Sequence, residues 1–268
     1  MKLTVLTDNN TCTDHFDGCL GEAALCYLIE DEGARFLFDT GYSNVAIRNA
    51  EKLGIDLGAV DLVVLSHGHD DHTGGLRALP FEGRRPRLIA HPRTFDPKRI
   101  KERDAGAPFS LGEAKERFDL QLTREPMQVS PTVTFLGEVP RRTDFEGAPL
   151  GESLRDGEWR PDDLPDDSAL ACRTPEGLVV VTGCSHSGIC NIIEHAKDVM
   201  KEPRIRVVIG GFHLRARGPQ LDRTVEYFAG LEPQPDLYPC HCTCFDAKRA
   251  LAERLPIHEV GSGLSFEW

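Results

Sequence analysis

The stretch Leu62-Val63-Val64-Leu65-Ser66-His67-Gly68-His69-Asp70-Asp71-His72-Thr73-Gly74-Gly75 carries the densest chemistry in the chain. Three imidazoles and two carboxylates fall directly after an apolar run, bounded by Asp61 and Ser66, that reads as a short buried strand. Imidazole nitrogen and carboxylate oxygen are ligand types for zinc and its first-row neighbours. His67 and His69 stand two apart on chain leaving a strand, so both can point the same way. Asp71 and His72 follow after a turn and can face a second position nearby. The spacing suggests two metal ions, with His67 and His69 on one and Asp71 and His72 on the other. A polar loop of solvated histidines is the plainer reading, but metal ligation is the simplest account of such density.

The elements that must position these groups can be read in order. Lys2–Thr7 alternates as a strand and ends in the turn Asp8-Asn9-Asn10. Residues 25–30 and 35–39 read as a hairpin about Asp31-Glu32-Gly33. Ser43 is a plausible N-cap for a short helix with Val45, Ile47, Ala50 and Leu53 on its apolar side, stopped by Gly54. After the histidine loop, residues 73–79 read as a helix whose N-terminus would face the site and favour anions. Residues 87–91 and 132–136 read as strands, with an irregular segment starting at Pro92. Residues 141–165 are polar and rich in Pro, Gly and Asp, and read as a long loop forming a lid or rim.

Residues 168–173 and 178–182 then pair around Pro175-Glu176-Gly177. The second strand runs into Gly183-Cys184-Ser185-His186-Ser187-Gly188 and a helix bearing Ile189, Ile192, Ile193 and Ala196. Strand, glycine turn, histidine, glycine and helix thus repeat the first loop's plan about 120 residues later. Residues 204–209 are a buried strand ending near His213. A helix follows over 221–231 with Val225 and Phe228 on its apolar side. Leu237-Tyr238-Pro239 leads to Cys240-His241-Cys242-Thr243-Cys244, and Asp246 reads as the cap of a last helix over 247–255. With no linker evident, residues 1–268 read as a single α/β domain of four layers, helix, sheet, sheet, helix, with the site at the edge between two similar halves. Strand-end loops of such sheets share a face, so His186, His213 and His241 are further candidates to meet the cluster.

Composition bounds the function. The chain is 40% hydrophobic and 28% charged, as a soluble globular protein is. No apolar run approaches membrane-spanning length, and charges at Lys2 and Asp8 leave no room for a signal peptide. Nine cysteines, an odd number with several beside histidines, point to a reducing cytoplasm rather than a disulfide framework. A net charge of −12 disfavours nucleic acid as partner. Within that, residues 84–103 carry a local net charge of +6 and could form an anion-binding wall for a phosphate- or carboxylate-bearing small molecule. The cysteines at 240, 242 and 244 lack a second CxxC pair for a separate zinc or iron–sulfur site. Around Ser185 and Ser187 there is no Gly-x-Ser-x-Gly elbow.

His67-x-His69-x-Asp71-His72 after an apolar strand resembles the metal motif of the metallo-β-lactamase superfamily. Further segments resemble, in order, the branch similar to 7,8-dihydropterin-6-yl-methyl-4-(β-D-ribofuranosyl)aminobenzene 5′-phosphate synthase. These are Asp8-Asn9, Phe38-Asp39-Thr40-Gly41, Asn49-Ala50, His91-Pro92, Gly137-Glu138-Val139-Pro140-Arg141, Gly183–Gly188, Gly211-Phe212-His213-Leu214 and Cys240-His241-Cys242-Thr243. The resemblance implies a four-layer αββα sandwich of two mixed β-sheets flanked by helices. It implies His186 and His241 as the remaining ligands, one for each metal, with Cys184 where relatives place a bridging Asp or a ligating Cys. It makes His213 a proton-transfer group, and His91 and Arg141 substrate contacts. The chain departs from the branch at Ala23-Ala24, where His-Gly is common, and at Cys244, where Gly is common.

The expected cofactors are two divalent ions, zinc above manganese or iron given a thiolate ligand. The expected activity is hydrolysis of an ester, thioester or phosphoester, with hydroxide made available by the dinuclear centre and Asp71 and His213 handling protons. Two rivals stand beside it. One is a pterin-related synthase forming a C–N bond with loss of diphosphate, and the other is a metal-binding sensor without fast turnover.

Overall fold

The computed structural model describes residues 1–12, 18–81 and 83–268. Two mixed sheets dominate. The first has seven strands in the order Ser265–Glu267, Lys2–Thr7, Cys26–Asp31, Ala34–Phe38, Leu62–Val64, Arg87–Ala90 and Asp119–Leu122. The second has six: Asp236–Cys240, Ile205–Gly211, Gly177–Thr182, Ala169–Thr174, Val133–Phe135 and Met127–Gln128. Helices are α1 (Val45–Lys52), α2 (Asp70–Thr73), α3 (Leu111–Arg117), α4 (Ile189–Met200), α5 (Pro219–Ala229) and α6 (Phe245–Ala252).

Alternation along the strands explains the layering. Val179 and Val181 join Val5, Tyr27, Phe36, Phe38 and Ile209 in an apolar layer between the sheets. Leu178 and Val180, one residue out of phase, face Ile192, Ile193, Val225, Phe228 and Leu251 of α4, α5 and α6. On the opposite side Leu28, Leu37, Val63 and Leu88 pack under α1 and α3 through Ala46, Ala50 and Ala114. Three apolar layers separate four structural ones, so the sandwich is αββα. The central strands read as continuous apolar runs because both faces are covered.

Several boundaries differ from those expected. The helix expected over 73–79 is instead the single turn of α2, followed by a 3₁₀ turn at Gly74–Arg77. The glycines decide this: a Cβ on Gly75 would lie 2.0 Å from the Thr40 carbonyl oxygen, and one on Gly74 2.2 Å from that of Tyr42. Backbone approaches backbone there, and one turn is too short to carry an anion-attracting dipole. Asn44, not Ser43, is the N-cap position of α1, while the Ser43 hydroxyl donates to Glu22. On α1 the buried residues are Ala46, Asn49 and Ala50. The last helix starts earlier than expected, with the Cys244 sulfur rather than Asp246 accepting from the Ala247 amide.

Residues 141–165 are not a structureless lid. They contain a hairpin, Glu152–Arg155 with Glu158–Pro161, which pairs with Lys98–Ile100 and Arg103–Asp104 to make a third sheet of four strands. Its polar sequence hid it, since a small two-sided sheet lacks the apolar face that marks a strand. Among the described residues no helix is long and apolar enough to cross a membrane.

Asn49 is buried, with Nδ2 donating to the carbonyls of Leu6 (2.7 Å) and Leu20 (2.8 Å) and Oδ1 accepting from the Leu20 amide (2.8 Å). Asn49→Ala is expected to lower the free energy of unfolding by about 2–3 kcal/mol. Urea denaturation measures this, and an unchanged midpoint would show those bonds to be dispensable.

Candidate metal centre

The parallel strands of each sheet end on one edge, and the chain that leaves them converges there. From one sheet come Asp39, the loop His67–His72 and, at the end of Lys2–Thr7, Asp8 and Asn9. From the other come Cys184, His186, His213 and His241. Two groups of donor atoms form, with the atoms of each group within 4.8 Å of one another: His67, His69 and His186; and Asp71, His72, Cys184 and His241. All seven candidate ligands named from the sequence are brought together: His67 and His69 fall in one group and Asp71 and His72 in the other, as their spacing suggested, with His186 in the first and Cys184 and His241 in the second.

The rings crowd closely. His67 Nε2 lies 3.1 Å from His69 Nδ1, and the His186 ring centroid is 4.8 Å from each of theirs. His72 Nε2 is 3.1 Å from Cys184 Sγ and 3.2 Å from His241 Nε2, and an Asp71 oxygen sits 3.3 Å from the latter. The His67 and His72 rings, centroids 4.3 Å apart, join the two groups. Buried nitrogens facing one another in this way cannot all be satisfied by each other, and His186 Nε2 has no hydrogen-bond partner among the described residues. Neutral imidazoles, a carboxylate and a thiol directed at shared points are the donor chemistry of a divalent transition-metal site.

The Nδ1 atoms of His67, His72 and His241 are engaged on the outer side. Asp39 accepts from His72 Nδ1 at 2.6 Å, from the Ser66 amide at 2.7 Å and from Ser66 Oγ at 2.7 Å. Since that hydroxyl gives its proton to Asp39, it accepts from His67 Nδ1 at 2.9 Å. His241 Nδ1 meets Asn9 Oδ1 at 2.8 Å, and the His241 amide donates to Asp8 at 3.0 Å. These contacts leave Nε2 of residues 67, 72 and 241 turned inward, as outer hydrogen bonds do for metal-ligating histidines.

Electrostatics follow from burial. Burial first, then the neighbouring imidazoles, push His67 and His186 well below the usual histidine range. Burial also takes His69 down to about 4. For His72 burial acts in the same direction, but Asp71 and Asp39 outweigh it and raise the ring to about 9. Burial raises Asp71, yet His72 and His241 more than offset it and keep the carboxylate ionised. His213 has its ring centroid 4.4 Å from that of His186, and burial followed by Arg215 pushes it down to about 4.

Two acidic residues that fall between the loop read over 141–165 and the strand read from 168 hold both halves of the site. Asp166 accepts from the Gly68 amide at 2.8 Å and from Lys98 at 3.1 Å. Its neighbour Asp167 accepts from the Ser187 amide at 2.8 Å and hydroxyl at 2.6 Å. Adjacent carboxylates just before an apolar strand were the available signal.

The expected substrate contacts are otherwise engaged. His91 is buried, with Nε2 3.1 Å from Glu138 and Nδ1 accepting from the Arg93 amide at 3.1 Å. Arg141 donates to the carbonyls of Asp163 and Leu164, pinning its own segment. The basic segment is likewise spent on structure. Lys98 is buried between Asp162 and Asp166, Arg103 pairs with Asp70, Arg99 with Glu152, Arg84 with Asp61 and Arg93 with Asp96. The cysteines near the C-terminus diverge, Cys240 to the Tyr27 hydroxyl at 3.1 Å, Cys242 to the Cys184 carbonyl at 3.5 Å and Cys244 to α6.

A family model described as the metallo-beta-lactamase superfamily matches residues 20–222. The chain belongs to the metallo-β-lactamase superfamily. An uncharacterized protein of Methanocaldococcus jannaschii is 31% identical over 254 residues, covering 94% of each chain. The 7,8-dihydropterin-6-methyl-4-(beta-D-ribofuranosyl)-aminobenzene-5′-phosphate synthase of the same organism is 31% identical over 247 residues, covering 85% of this chain and 83% of that one. A crystal structure of a metal-dependent hydrolase of the beta-lactamase superfamily superposes with a TM-score of 0.86 at 34% identity, covering 100% of this chain and 99% of that one. The chain sits in the branch of the superfamily that includes the synthase, and its two donor groups occupy the strand edge described above.

For a metallo-β-lactamase superfamily site built this way, Asp39→Asn is expected to weaken metal binding by about 10–100-fold, because it loosens the hold on His67 and His72 together. Chelator competition followed by elemental analysis reads the affinity, and an unchanged value would remove Asp39 from that role.

Proposed function

We propose that this chain is a metal-dependent hydrolase of small molecules bearing an ester, thioester or phosphoester bond. The observation that carries this is the pair of donor groups, with the outer nitrogens of His67, His72 and His241 already fixed by Ser66, Asp39 and Asn9. His67, His69 and His186 would hold one ion, and Asp71, His72, Cys184 and His241 the other. Cys184, a buried thiol, would bind an ion as the thiolate, which favours zinc over harder ions. Two such ions would lower the pKa of water from about 15.7 toward 7 and offset the charge that develops on the oxygen of the carbonyl or phosphoryl group under attack.

The chain's own groups then have defined tasks. Asp71, held ionised by His72 and His241, accepts a hydrogen bond from the attacking water and orients it. His213, against His186 and beside Arg215, is kept neutral by its burial and that cation, so its ring N–H hydrogen-bonds the departing atom, which takes its proton from solvent. Gly68, where a Cβ would lie 2.1 Å from the Thr94 carbonyl oxygen, lets the ligand loop lie flat against the next segment.

The similarity to the pterin-related synthase supports a second reading, in which the same centre positions a diphosphate leaving group while a C–N bond forms. Incubation with a pterin diphosphate and an aminobenzene acceptor, beside a panel of esters and thioesters, separates the two by product. Under the hydrolase reading His69→Ala and His72→Ala each lose metal and turnover together, by about 10²-fold or more in kcat/KM. Full turnover in both variants, with metal content measured on the same samples, would end it.

A further inference from the structure

We propose that the cavity between His186 and the start of α5 binds a phosphate group carried by the substrate. It encloses about 320 Å³, room for a charged group with part of the molecule attached. His186 and His213 form its inner wall, so it opens directly onto the first donor group. Arg215, Arg217 and Gln220 line the outer part, and no carboxylate lines it among the described residues.

The charges are unspent. Arg215 and Arg217 are exposed and make no ion pair among the described residues. In a chain of net charge −12, where Arg84, Arg93, Lys98, Arg99 and Arg103 each pair with a nearby acid, Arg215 and Arg217 instead line an acid-free cavity beside the donor groups. α5 adds to them. Its N-cap is Gly218, with no side chain capping it, and Pro219 follows in the first turn. The amides of Gln220 and Leu221 therefore remain as N-terminal donors at the positive end of an eleven-residue helix. His186, assigned above to the first donor group, forms the inner wall and marks where the cavity meets that centre.

Two guanidinium groups and the Gln220 amide offer more donors than a carboxylate can use, and suit the three oxygens of a phosphate dianion. A phosphate held here would leave the attached body extending past His213 to the donor groups. Calling the bound molecule a substrate rests on the hydrolase reading above, whereas the binding itself does not.

Isothermal titration of phenylphosphonate into the protein as purified tests this, with benzoate as the planar, singly charged comparison and metal content determined in each sample. R215Q/R217Q is expected to bind phenylphosphonate at least about tenfold more weakly with metal content and thermal unfolding unchanged. Wild-type protein is expected to prefer phenylphosphonate to benzoate by a similar factor. A double variant that binds phenylphosphonate as the wild type does would overturn the assignment, since the anion would then be held elsewhere. Equal affinity for benzoate would overturn it too. Absence of metal from the wild-type protein would instead count against the centre, and leaves the affinity ratio as the measure of the cavity.

Discussion

The Asp39 carboxylate is the contact on which the site depends. It is fully buried and accepts three hydrogen bonds, two from Ser66 and one from His72. A lone buried carboxylate would be costly, so the arrangement persists only because every donor is in place. Through Ser66 it also sets the tautomer of His67, and through packing it reaches the other half of the fold. A Cβ on Gly183 would lie 2.2 Å from Ser66 Oγ and 3.0 Å from Asp39 Oδ2. The second histidine loop is therefore laid directly on the first, with a glycine where no side chain fits.

Backbone strain collects at the same edge. Asp39, Ser185, His213 and His241 all have left-handed backbone, with φ of 57°, 58°, 49° and 49°. Such residues cost about 1–3 kcal/mol each and persist where surrounding structure over-determines them. Here the hydrogen bonds are visible: Ser185 Oγ donates to the Gly211 carbonyl at 2.6 Å, and the His241 amide donates to Asp8 at 3.0 Å. Each sharp turn brings a chain leaving a parallel strand back over the edge, which is how residues far apart in sequence come to face one another.

Much of this was legible because the strongest signals were local and dense. Apolar runs such as Leu178–Val181 announce strands covered on both faces, and a histidine after each run announces the edge. The layered fold and the gathering of His67, His69, Asp71, His72, Cys184, His186 and His241 followed from those patterns together with family resemblance. What stayed hidden depends on partners distant in sequence. Asp166 and Asp167 carry only a faint local mark, two adjacent acids before an apolar strand, because their meaning lies in Gly68 and Ser187. The hairpin at residues 152–161 has no apolar face to betray it. His91 and Arg141 sit in motif-like segments, yet motif membership does not say whether a side chain faces a ligand or, as here, Glu138 and the carbonyls of Asp163 and Leu164.

The distribution of charge shows why composition misled where packing did not. A run of basic residues in an acidic protein looks like a binding surface until their partners are seen. Lys98 is buried with Asp162 and Asp166, and that triad fastens the small sheet to the Gly68 amide. Removing one member of such a buried group strands the others at a cost of about 3–5 kcal/mol, so its charge is committed to structure. Arg155 adds a further bridge from the hairpin to Asp162 and Asp163. Once these pairs are set aside, a positive charge is free to meet a ligand only where no acid has been placed opposite it. Beside the metal centre, that condition holds on the His213 side, at the loop leading into α5, rather than on the side from which the basic segment approaches.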